Sequence, residues 1–85
     1  MILIGRVVKG TKTIKQSTFK GDDEEAGFCN MLEKGLIELC RELEIPVPLW
    51  LNKNTTEFVH YRKTFFTSDQ FVEPVNFDKF EFKLG

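Results

Sequence analysis

The stretch GDDEEAGFCNMLEKGLIELCRELEIPVP, from Gly21 to Pro48, constrains the fold of this chain more than any other. At about 100° per residue, Phe28, Leu32, Gly35, Leu36, Leu39, Leu43, Cys29 and Cys40 fall on one stripe. Asn30, Glu33, Lys34, Arg41 and Glu44 fall opposite. Such an amphipathic helix must bury its stripe against another element. Asp22 followed by Glu25 has the spacing of a capping box, and acids in the first turn suit the helix dipole. Pro46 ends the helix, because the residue before a proline avoids the α region. Ile37 is the large apolar residue left in the polar arc, which makes it a candidate surface contact.

The surface that receives this helix is expected to be a sheet. MILIGRVVKG and TKTIKQSTFKG are two runs rich in β-branched residues, separated by a Gly10 that can take positive φ, and they predict a β-hairpin. Ile2, Ile4 and Val8 share one face of the first run with Arg6, while Leu3 and Val7 share the other with Gly5 and Lys9. Near the C-terminus FDKFEFKL alternates: Phe80, Phe82 and Leu84 on one side, Lys79, Glu81 and Lys83 on the other. That is the pattern of a half-buried strand.

Between helix and strand, PVPLWLNK is an extended apolar connector anchored by Trp50. Asn54 with Glu57, and Thr67 with Gln70, repeat the capping spacing and predict a helix near 55–64 and a short one near 68–72, stopped by Pro74. Within the first, FVHYRKTFF places Phe58, Val59, Tyr61, Phe65 and Phe66 on an apolar arc with Arg62 in its middle, and His60, Lys63, Thr64 and Thr67 opposite. The segment is also rich in β-formers. As a strand it would put His60 and Arg62 on one face and Val59, Tyr61, Lys63 and Phe65 on the other. The expected architecture is one α+β domain over residues 1–85, in the order β-β-α-α-(α)-β. The hairpin and C-terminal strand would form an antiparallel three-stranded sheet with the helices on one face.

With 85 residues the chain has one core. MILIGRVV is too short for a signal peptide or membrane span, so a cytoplasmic protein without membrane association is expected. Cys29 and Cys40 would then be reduced. They lie about 16 Å apart along one helix, too far for a mutual disulfide, and the stripe predicts inert burial for both. His60 is the one imidazole, with no carboxylate and nucleophile grouped around it in sequence. Asp22 to Glu25 lacks EF-hand spacing, and the glycines match neither a P-loop nor a dinucleotide fingerprint. No catalytic residue, metal site or cofactor is expected, and the chain is read as a non-enzyme.

Net charge is −1, but it is unevenly distributed. The first twenty residues hold Arg6, Lys9, Lys12, Lys15 and Lys20 and no acid, whereas residues 21–45 hold eight acids against Lys34 and Arg41. Two functional expectations follow. The first is a protein-interaction domain of unknown partner using Ile37, Tyr61 and Arg62, since Tyr and Arg are enriched at interface hot spots. An exposed sheet edge could also pair with a second copy as a homodimer. The alternative is nucleic-acid binding through the five cations of the hairpin. Phe80 and Phe82 are spaced like base-stacking rings, but the helices need them as core.

Overall fold

The hairpin, the long helix and the last strand form as the sequence pattern dictates, whereas the middle of the chain does not. The computed structural model describes residues 1–21 and 27–85. In it β1 (Ile2–Lys9) and β2 (Lys12–Lys20) precede α1 (Phe28–Leu43) and α2 (Asn52–Tyr61). They are followed by β3 (Lys63–Thr67), a 3-10 turn (Ser68–Gln70) and β4 (Lys79–Leu84). The sheet has four strands rather than three, all antiparallel, in the order β2-β1-β4-β3.

The extra strand corrects the expected helix over 55–64. α2 stops at Tyr61 because Arg62 takes the left-handed conformation, φ 60, with its N–H donating to the Phe58 carbonyl. Lys63–Thr67 then pairs with β4, with Thr64 and Phe66 turned inward and Lys63 and Phe65 outward. Both periods fit this stretch in the sequence, and the free edge of the strongly alternating β4 decides between them. Arg62 is therefore not embedded in an aromatic arc. Val59 and Tyr61, expected on that arc, are each 69% exposed. The expected helix over 68–72 is reduced to the 3-10 turn, although its cap forms: Gln70 Oε1 accepts the Thr67 N–H at 3.1 Å.

α1 buries Met31, Gly35, Leu36, Leu39, Cys40 and Leu43. Phe28 and Cys29, expected on the buried stripe, are exposed, and the buried face of α1 begins at Met31. The expected cap at Asp22 and Glu25 lies outside the described residues. Gly35 lets the helix lie close to the sheet: a Cβ there would sit 2.3 Å from Leu3 Cδ1 and 3.0 Å from the Phe19 ring. The helix closes with Glu44 at φ 58, the Glu44 N–H on the Arg41 carbonyl and the Ile45 N–H on the Cys40 carbonyl, a Schellman motif two residues ahead of Pro46.

The core fills the space between this helix layer and one face of the sheet. Leu3, Val7, Phe80, Phe82 and Phe66 supply the sheet side, and Leu36, Leu39, Leu43 and Phe58 the helix side. Trp50 lies against the rings of Phe66 at 5.6 Å and Phe82 at 6.2 Å, joining the connector to this layer. Among the described residues, no helix is long and apolar enough to cross a membrane.

Candidate functional site

On the helix side, a groove of about 630 Å³ runs between α1 and the α2 region. α1 lines it with Phe28, Cys29, Leu32, Glu33, Leu36 and Ile37. The connector adds Val47, Pro48 and Trp50, and α2 adds Thr55, Phe58 and Val59. Ile37 follows Phe28 by nine positions, so the α1 wall is about 13.5 Å long. Phe28, Ile37, Val47, Trp50 and Val59 are all large apolar residues left exposed. Burying them would remove apolar area from water at about 25 cal/mol per Å².

A buried polar network fixes the second wall. Asn54 is fully buried, and all four of its hydrogen-bonding positions are used. Its Oδ1 accepts the Leu51 N–H and Gln70 Nε2, each at 2.9 Å, while its Nδ2 donates to Thr64 Oγ1 at 2.7 Å and to the Phe65 carbonyl at 3.0 Å. Thr64 donates onward to Glu57, and Gln70 to the Leu49 carbonyl. Connector, α2, β3 and the 3-10 turn are thus tied at one point. Trp50 Nε1 donates to Thr55 Oγ1 at 2.8 Å, which orients the indole at the groove edge.

Among the described residues, no helix packs on the opposite face of the sheet. Cross-strand pairing places Lys20, Arg6, Lys83, Lys79 and Lys63 on this open face, with Glu81 as its one carboxylate among the described residues. Arg6 Nη1 meets Glu81 Oε1 at 3.4 Å, and Arg6 Nε is buried without a hydrogen-bond partner. Lys79 Nζ lies 4.6 Å from the centroid of the Phe65 ring.

The sequence-derived candidates divide among these surfaces. Ile37, 40% exposed, is on the groove, whereas Tyr61 and Arg62 are exposed beyond its walls. Of the hairpin cations, Arg6 and Lys20 are on the open face, and Lys9 and Lys12 pair at the hairpin tip. Lys15 turns to the helix side, where its Nζ donates to the Leu43 carbonyl at 2.9 Å. The five therefore do not form one surface. Missed in the sequence were Lys63, Lys79 and Lys83, and the groove residues Phe28, Val47, Trp50 and Val59. The alternation of FDKFEFKL had put Lys79 and Lys83 on one face, but not beside Arg6.

His60 is exposed at the end of α2, its ring 6.1 Å from that of Tyr61. Among the described residues no three His, Cys, Asp or Glu side chains gather as a metal site. Burial pushes the Cys40 thiol up to about 12, which leaves Cys29 as the accessible thiol. Comparison with family models, curated proteins and solved structures returns no match, so any functional reading of this chain rests on its own geometry.

Proposed function

We propose that this chain is a non-catalytic protein-interaction domain whose groove between α1 and α2 holds the apolar face of an amphipathic helix. The observation that supports this is the continuous run of exposed apolar side chains, Phe28, Ile37, Val47, Trp50 and Val59, around a groove of about 630 Å³. A surface of this kind on a small monomer marks an interaction site. Its α1 wall matches two to three helical turns, and a helix of that length presents anchors at i, i+3 or i+4, and i+7. Trp50 and Phe28 are aromatic side chains of the type that dominates interface energetics. The reading fits a reducing compartment, where Cys29 on the groove wall stays a free thiol.

The test is selection from a displayed library of sixteen-residue peptides on the wild-type protein and on Ile37→Glu. Peptides enriched on wild type should carry apolar residues at helical spacing, shift amide signals of residues 28–37 and 47–59, and lose binding to Ile37→Glu while that variant keeps its fold. Enrichment indifferent to Ile37→Glu, or no helical periodicity among the selected peptides, overturns the reading. A mass that doubles with concentration and returns to monomer in Ile37→Glu would instead assign the groove to a second copy of this chain.

A further inference from the structure

We infer that the open face of the sheet binds single-stranded nucleic acid, a role separate from the groove and opposite to it. Among the described residues, the face carries Arg6, Lys20, Lys63, Lys79 and Lys83 against Glu81 as its one carboxylate. Lys20, Lys63 and Lys83 have no ion-pair partner among the described residues. Lys63 stands directly across from Lys83 in the β3·β4 register. Like charges opposite one another on a sheet face are unfavourable, so free protein holds a repulsion that a phosphate between the two ammonium groups removes.

The apolar residues on this face decide between anionic ligands. On this side of β1, Ile2 has Lys20 across the strand, Ile4 has Lys83, and Val8 has Lys79. Each apolar side chain is thus flanked by a cation, and Phe65 adds a ring with Lys79 beside it. A single strand presents phosphates and unstacked bases together, and a flat surface alternating cations with apolar ground meets both. A duplex hides its bases and would leave the apolar positions unused. A lipid surface would need a group of protruding side chains to insert, but Ile4, Val8 and Phe65 are half-buried in the face, and of the four apolar residues Ile2 is the one exposed.

Fluorescein-labelled dT12 and rU12, titrated by anisotropy from 20 to 300 mM KCl, test this directly. Binding should weaken as salt rises, with a slope of about −0.7 per phosphate contact. Lys63→Glu/Lys83→Glu should lower affinity roughly tenfold or more and flatten the slope by about one contact per lysine. Phe65→Ala should weaken binding while leaving the salt slope unchanged, and Ile37→Glu should change neither. Single Lys63→Glu should raise thermal stability while lowering affinity, opposite signs that a solely structural lysine would not give. The inference is overturned by absence of binding at 20 mM KCl. It is also overturned by equal affinity for a duplex or poly-glutamate with no effect of Phe65→Ala, or by preference for phosphatidylserine vesicles over both oligonucleotides. None of these results bears on peptide capture in the groove.

Discussion

Arg62 shows how one backbone conformation redirects a functional reading. By helical period it falls among aromatic side chains, where a guanidinium demands a partner; in the fold it is an exposed left-handed cap between α2 and β3. L-residues in that region carry a strain of about 1–2 kcal/mol that glycine avoids, partly offset by the greater freedom of glycine in the unfolded chain. Arg62→Gly should therefore stabilise the protein by about 0.5–1 kcal/mol, at about 4–8 °C in Tm per kcal/mol. A thermal melt checks this, and a lower Tm would mean that the Arg62 side chain holds the fold through contacts of its own. Cysteine chemistry is equally local. Cys29 is exposed on the groove, and Cys40 is buried with its thiol pushed up to about 12. An aromatic disulfide reagent at pH 8 should react quickly with one thiol and with the second only on unfolding, because the thiolate is the nucleophile. A selected groove peptide should slow the first reaction; two equally fast thiols would refute the assignment.

Elements stabilised by their own periodicity were legible in the sequence, and elements stabilised by a distant partner were not. The stripe of α1 and the alternation of β4 are each complete within their own segments, so both can be read without knowing the fold. β3 is five residues long and owes its conformation to the β4 edge, which lies beyond the 3-10 turn and a loop. Helical and strand periods both suit KTFFT, so local propensity leaves the choice to tertiary pairing. The same limit applies to the sites. Ile37 was visible as a break in the α1 pattern, but the connector and α2 residues facing it join the groove only through packing. Asn54 was visible as a capping residue, not as the centre of a network joining four segments. Asn54→Ala removes four hydrogen bonds and leaves the buried Thr64 and Gln70 short of partners, at a cost of about 2–4 kcal/mol. Urea denaturation should show this loss. Thr64→Val should cost less on its own, and the double variant should cost less than the sum of the two. Strict additivity would show that the bonds act independently rather than as one network.

At the scale of the whole molecule, strand pairing sorts the charges of the described residues onto two surfaces that do not coincide with the charge blocks of the sequence. α1 presents Glu33, Glu38 and Glu42 on the helix side, while the open face carries its lysines and Arg6 on the other. Lys15, a hairpin cation on the helix side, donates to the Leu43 carbonyl at the C-terminal end of α1, where the helix dipole favours positive charge. The sequence could not separate these possibilities, because strand pairing decides which lysines share a face. The sheet and the core layer of Phe66, Phe80 and Phe82 stand between the two surfaces, so a ligand on either side meets different side chains. Coupling between sites requires that each ligand favour a different arrangement of a shared element. Here the shared element is a sheet whose central strands, β1 and β4, are paired along both edges, with Leu3, Val7, Phe80 and Phe82 fully buried on the inward face. A groove peptide should therefore bind with the same Kd, within about twofold, whether or not dT12 saturates the open face, which corresponds to a coupling below about 0.4 kcal/mol. Calorimetric titration of the peptide in both conditions at 50 mM KCl measures it. A larger change that vanishes at 300 mM KCl would show that the two charged surfaces communicate through their fields. A larger change that persists at high salt would mean that the sheet itself has two arrangements, and the groove and open face would then act as one regulated unit.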